Sequence, residues 1–215
     1  MKNKIIYLVG KSGSGKNSIL NRLIEVFNFF VDQIPMKLIV MSTTRPPREG
    51  EVHGKDYYFS SNEEFEQKKR DGLILEYRVY HTVNGDWIYY TSKENFDLDN
   101  FNYIGIGTLE SYKSLAKEYG SENIIPILIK VPDDGDRLLM AINREREEQN
   151  PNYKEVCRRF IADEDDFSEE KIEEIHPFTV INRTQVGSEY SIRNFLADEY
   201  PDSFYAIRPF IPEQL

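Results

Sequence analysis

A single cysteine, Cys157, rules out a disulfide within the chain, so stability must come from a packed core. A reducing cytoplasm is the natural setting for such a protein. The three histidines, His53, His81 and His176, show no metal-ligand spacing and read as structural. Long apolar runs are missing too. Residues 4–9 form a run far too short to cross a bilayer, and it leads into a glycine-rich turn rather than a secretory cleavage site. Positive charge is scarce: 27 Lys and Arg stand against 37 Asp and Glu, a formal net charge of -10. That field repels nucleic-acid polymers and anionic membranes, which leaves local basic pockets for small phosphate ligands. Repeats and low-complexity tracts are also absent.

What is present suits one α/β domain with an inserted lobe. The 215 residues are 40% hydrophobic and 30% charged, enough to bury a core and stay soluble. Residues 4–9 read as a buried parallel strand, as do residues 37–41, 103–106, 124–131 and 178–181. Helical patterns fall between them at residues 18–29, 109–119, 135–149, 153–163 and 190–196. In the first helix Ile19, Leu20, Leu23, Ile24 and Phe27 share a face. This alternation predicts a parallel sheet with helices on both faces. Residues 45–93, rich in tyrosine and charge, break the rhythm and read as a mostly antiparallel inserted lobe. The core is then 1–44 and 94–200. The tail, 201–215, holds Pro209 and Pro212 and reads as irregular surface or as an oligomer contact. Cys157 reads as a packed thiol on its helix, and Trp87 and the tyrosines as lobe core.

The first chemical signal is Gly10-Lys11-Ser12-Gly13-Ser14-Gly15-Lys16-Asn17-Ser18, which fits G-x-x-x-x-G-K between a strand and a helix. Glycines let backbone N–H groups wrap a phosphate, and the helix aims its positive end at the same place. Lys16 adds a cation for the β- and γ-phosphates. Gly10, Ser12, Gly13, Ser14, Gly15, Lys16, Asn17 and Ser18 are therefore candidate ATP-binding residues. Mg²⁺ usually takes a Ser or Thr hydroxyl directly after the lysine. Here Asn17 stands there, and Ser18 offers a hydroxyl one position later, so these two are the candidate metal ligands.

The second signal is Thr43-Thr44-Arg45-Pro46-Pro47-Arg48-Glu49-Gly50-Glu51-Val52-His53-Gly54-Lys55-Asp56-Tyr57-Tyr58-Phe59. Arg45 and Arg48 are guanidinium forks suited to one small dianion, and Tyr57 adds a hydroxyl. Together with the phosphate loop, this stretch resembles the guanylate-kinase family, whose signature is T-T-R-x-P-R-x-G-E-x-x-G-x-D-Y-x-F. The resemblance runs from about residue 4 to 196 and weakens between 76 and 109. It implies a P-loop fold with a nucleoside-monophosphate lobe and an arginine-bearing helical lid at about 133–160.

It also implies a Mg²⁺-dependent transfer of phosphoryl from ATP to GMP, by a monomer or homodimer in the cytoplasm. By resemblance Arg45, Arg48, Tyr57 and Tyr89 contact the GMP phosphate. Glu76 and Thr91 contact guanine, since a carboxylate can accept from both N1–H and the N2 amino group. Arg144, Arg146 and Arg159 belong to the lid, with Lys16 and Arg45 in the catalytic set, and Asn182 matches an asparagine near the adenine.

Four departures from the pattern stand out. Asn17 replaces the hydroxyl residue, Tyr90 a glycine and Met41 a serine that touches the base. Gly105 and Gly107 replace both residues of an Asp-x-Asp pair, with Glu110 the nearest carboxylate to substitute. They keep two other readings open: a guanylate-kinase-like nucleotide- or protein-binding module with impaired catalysis, and a kinase for another monophosphate.

Overall fold

Every residue of strand β1 (Ile5–Val9) is buried. A strand reaches that state only with neighbours on both edges and layers on both faces, and the computed structural model supplies them. It describes residues 3–82, 85–148 and 151–209. β1 pairs in parallel with β7 (Asn102–Gly107) on one side and β8 (Ile124–Lys130) on the other. β2 (Met36–Leu38) and β9 (Phe178–Ile181) complete a five-stranded parallel sheet in the order β2-β7-β1-β8-β9. Alternate β1 residues feed two cores. Ile6 and Leu8 pack with α1 (Lys16–Phe29) and α7 (Gln185–Glu199). Ile5, Tyr7 and Val9 pack with α3 (Leu109–Tyr119). The fold is thus α/β, a parallel sheet covered on both faces.

A second sheet is built from β3 (Ser42–Thr43), β4 (Tyr58–Phe59), β5 (Ile74–Thr82) and β6 (Gly85–Ser92), in the order β4-β3-β6-β5. Only β3 and β4 run parallel. The helix α2 (Asn62–Arg70), unforeseen in the sequence, packs Phe65 against Tyr90 at 5.1 Å between ring centroids. It starts with a capping box in which Ser61 and Glu64 satisfy each other's backbone N–H. Two further helices are α4 (Asp134–Arg146) and α5 (Tyr153–Asp166); Gln149 and Asn150, between them in the chain, lie outside the described residues. The short α6 (Glu169–Glu173) leads into β9. Among the described residues no helix is long and apolar enough to cross a membrane.

Three expectations need correction. Residues 37–41 and 178–181 are not buried strands: β2 is a three-residue edge strand with Lys37 and Leu38 exposed, and β9, at the other edge, exposes Thr179 and Ile181, because each has a neighbour on one side only. The segment after Tyr200 is not irregular surface. Residues Pro201–Phe204 form α8, and Phe204 and Ile207 are fully buried in the core beside Phe27. Their apolar side chains close the open edge between α1 and α7, and the Ile207 carbonyl accepts from Arg193 Nε at 2.7 Å. Pro212 lies outside the described residues. Cys157 is exposed rather than packed, since the inward face of α5 is taken by Val156 and Asp163.

Candidate active site

The phosphate loop needs its glycines for space as well as for backbone angles. Gly15 has φ 86°, and a Cβ there would lie 2.4 Å from the Asn182 side-chain nitrogen; one at Gly10 would lie 2.4 Å from the Ile129 carbonyl. The loop delivers the chain into α1, whose N-terminus carries no side-chain cap and no acidic residue in its first turn. By contrast α2, α3, α4, α5 and α7 are each capped by a side chain. An uncapped helix start behind a glycine loop leaves N–H groups for an anion.

Lys16 Nζ donates to the Gly10 and Lys11 carbonyls at 2.7 and 2.8 Å. Burial pushes its pKa down to about 8; nearby Asp163 opposes this, while Arg137 and Arg144 add to it. A cavity of about 820 Å³ opens in front of the loop. Ser12, Gly13, Gly15, Lys16, Asn17, Ser18, Arg144, Arg159 and Asn182 all line it. Gly10 and Ser14 shape the loop from behind, and the Ser14 carbonyl accepts from Asn182 Nδ2 at 2.9 Å. Asn182 is thus tied to the loop, with its oxygen accepting from Ser188. Arg146 lies on the last turn of α4, exposed, and is not among the cavity's lining residues.

Sequence reasoning missed the charges beneath this loop. Arg137 is 1% exposed and donates to Asp134, Asp163, Glu164 and the Ser12 carbonyl at 2.7 to 3.3 Å. Asp163 accepts from the Ser12 N–H at 2.7 Å. This pair ties α4 and α5 to the phosphate loop. Its only trace in the sequence is an arginine and an aspartate on the buried faces of two charged helices.

A second cavity, about 550 Å³, lies beyond the C-terminal end of β7, next to β1 in the sheet. Its walls include Tyr7, Met41, Tyr57, Glu76, Tyr80, Trp87, Tyr89, Gly107, Thr108 and Ser111. Trp87 and Tyr80, expected as lobe core, face this cavity. Arg45 is 3% exposed beside it, donating from Nε to the Tyr89 hydroxyl at 3.0 Å and from both terminal nitrogens to Glu51 at 2.7 and 2.9 Å. Glu51 raises the Arg45 pKa, and Arg45 in turn holds the Glu51 carboxyl below its usual range. The Tyr57 ring lies 5.4 Å from the Arg45 guanidinium and 5.6 Å from the Tyr89 ring. Arg48 is exposed; its backbone N–H donates to Glu51 at 2.6 Å, but its side chain is not part of the cavity wall. Thr91 Oγ1 donates to Glu76 Oε1 at 3.3 Å. The structure therefore brings Arg45, Tyr57 and Tyr89 together, and Glu76 with Thr91, while Arg48 stands apart.

Asn17 and Ser18 sit in the first turn of α1 on the wall of the loop cavity, and both offer hard oxygen donors of the kind Mg²⁺ takes. The end of β7 adds none. A Cβ at Gly105 would lie 2.8 Å from Ile39, and one at Gly107 1.8 Å from the Tyr7 hydroxyl. Glu110, the proposed substitute, is 90% exposed, pairs with Arg78 at 3.8 Å and is not among the residues lining the loop cavity. The donor set fits a cation held mainly by nucleotide phosphates and water.

A parallel sheet whose first strand runs through a glycine loop into an uncapped helix defines the P-loop class of α/β proteins. A sequence profile described as guanylate kinase matches residues 2–175, and the chain belongs to the guanylate kinase family. A guanylate kinase of Clostridium tetani is 44% identical over 85 residues, 39% of this chain and 38% of that protein. One from Lactococcus lactis is 42% identical over 129 residues, 60% of this chain and 54% of that protein. One from Rickettsia prowazekii is 33% identical over 138 residues, 61% and 63% of the two chains. The chain spans less than two thirds of the length of these relatives. The crystal structure of guanylate kinase from Anaplasma phagocytophilum shares the fold, with a TM-score of 0.57 and 21% identity over 93% of this chain and 88% of that one.

Proposed function

We propose that the chain is a guanylate kinase, transferring the terminal phosphoryl group of ATP to GMP to give ADP and GDP. One observation carries the reading: two cavities open at the C-terminal ends of the adjacent strands β1 and β7, one walled by the phosphate loop, the other by Glu76, which the buried Thr91 backs with a hydrogen bond. The donor lies against Gly10 to Ser18, with Lys16 leaving the two loop carbonyls to meet the β- and γ-phosphates. Asn182, on the wall of the same cavity and bonded to the Ser14 carbonyl, lies near the adenine. Arg144 and Arg159 face the transferring group and neutralise its spreading charge. Arg146, exposed at the end of α4, joins them only by lid closure. Arg45, Tyr57 and Tyr89 hold the acceptor phosphate, with Arg48 closing over it from the exposed loop. Glu76 accepts from guanine N1–H and N2–H, and Thr91 supports it.

An oxygen of the acceptor phosphate attacks the γ-phosphorus as the bond to the β,γ-bridging oxygen breaks and ADP leaves. That oxygen is already anionic, so no general base is needed; positioning and exclusion of water do the rest. Mg²⁺, which Asn17 and Ser18 would help hold, supplies charge neutralisation on the phosphates. The same reading puts the protein in the cytoplasm beside its nucleotides. The experiment is ADP release with ATP and Mg²⁺ across GMP, dGMP, AMP, UMP and CMP. GMP is expected to be the best acceptor. Brisk release with another acceptor would turn the reading to a different monophosphate kinase, a possibility that Met41 in the acceptor wall favours. GMP binding without transfer to any acceptor would make the chain a binding module.

A further inference from the structure

β7 ends at Gly107 against the ring of Tyr7 from β1. A Cβ added at Gly107 would lie 1.8 Å from the Tyr7 hydroxyl and 2.5 Å from the ring carbon that bears it. Gly107 is not in the left-handed region, so the glycine is needed for room rather than for backbone angle. Tyr7 is 4% exposed, yet its side chain reaches the wall of the acceptor cavity alongside Glu76, Thr108 and Ser111.

The hydrogen bonds around it have one direction. A carboxylate only accepts. Ser111 Oγ donates to Glu76 Oε2, and Thr91 Oγ1 donates to Oε1. With its proton spent on Glu76, Ser111 Oγ must accept from its other neighbours. Thr108 Oγ1 lies 3.1 Å away, and the phenol of Tyr7 shares this stretch of the cavity wall with Ser111 and interacts with it. Thr108 Oγ1 in turn accepts from Arg78 Nη2 at 3.1 Å. Burial, reinforced by the charge of Glu76, raises the Tyr7 pKa against the opposing influence of Ser111 and Arg78, so the phenol keeps its proton.

We propose that Tyr7 is a positioning residue for the acceptor base: its phenol fills the volume left by Gly107 and, through Ser111, fixes the direction in which Glu76 meets the base. The inference rests on the guanylate kinase reading and adds a residue to it. GMP and IMP make the test, because IMP lacks the 2-amino group that a correctly turned Glu76 would accept from. Tyr7→Phe keeps the ring and removes only the donor. It is expected to raise the KM for GMP about fivefold to tenfold, the worth of one hydrogen bond in a buried network, and to shrink the preference for GMP over IMP. The KM for ATP stays as in wild type. Ser111→Ala acts in the same direction, and adding Tyr7→Phe to it costs little more, as expected of members of one network. Gly107→Ala, which needs the space the phenol occupies, lowers the melting temperature. The inference is overturned if Tyr7→Phe leaves the GMP KM and the GMP-to-IMP preference unchanged, if its losses fall equally on GMP, IMP and ATP, or if Gly107→Ala melts like wild type. A wild type that neither binds nor phosphorylates GMP ends the proposed function, and this inference with it, before any variant is made.

Discussion

At the scale of single residues, Lys16 shows how the site waits for its ligand. Its ammonium group is buried against two carbonyls with a pKa of about 8, well under the ordinary value of 10.5. Phosphates favour the charged form, so binding ATP must raise that pKa. The complex then holds more protons than the free protein once the pH passes about 8, and ATP affinity falls as pH rises further. Calorimetry at about pH 9, in two buffers of different ionisation enthalpy, should show net proton uptake on binding ATP. Zero uptake, or release, would take Lys16 away from the phosphates. Glu76 provides the matching experiment on the acceptor side. Glu76→Gln keeps the size but offers one acceptor where the carboxylate offers two. A group left unpaired costs about 1–3 kcal/mol, roughly ten- to a hundredfold in GMP affinity, with ATP affinity unchanged. Equal losses for both nucleotides would move Glu76 out of the base site.

At the scale of elements, the coupling of α4 and α5 to the phosphate loop matters most. Arg137 and Asp163 sit on different helices, yet both reach Ser12, one at its carbonyl and one at its N–H. Any movement of these helices over the nucleotide is therefore felt by the loop. Removing one partner strands a buried charge. Arg137→Met is expected to cost about 3–5 kcal/mol in urea unfolding. The double variant Arg137→Met, Asp163→Leu should cost clearly less than the sum of the two single changes. Additive losses would mean that the pair is not a unit. The second lesson at this scale is the cost of reading short elements from pattern alone. β2 was legible only as a longer buried strand, because a three-residue edge strand and a buried one share the same apolar letters. α2 has almost no apolar stripe, with Phe65 its one buried residue, so only its capping box could have announced it.

At the scale of the whole molecule, what was legible depended on how local the cause was. The phosphate loop, β1 and α3 follow from contiguous residues, and the chain shows them where their pattern lies. The grouping of Glu76 with Thr91 and of Arg45 with Tyr89 was legible only through the family resemblance; in the structure, hairpin register sets Glu76 opposite Thr91 and Arg45 donates to Tyr89. Features that depend on contacts distant in sequence were not legible. Phe204 and Ile207 pack on α1, Asp163 reaches back to Ser12, and Tyr7 fills the space at Gly107. That last contact changes the meaning of the missing aspartates. The glycines at the end of β7 are occupied space, complementary to Ile39 and Tyr7, so they belong to an alternative packing of the acceptor wall. The central claim is that this altered wall still serves phosphoryl transfer. The most direct measurement follows the label from γ-labelled ATP in the presence of Mg²⁺ and GMP, with wild type beside a folded Lys16→Ala variant. The expected result is labelled GDP from wild type and none from the variant; no labelled GDP from wild type, or equal labelling by Lys16→Ala, would contradict the account.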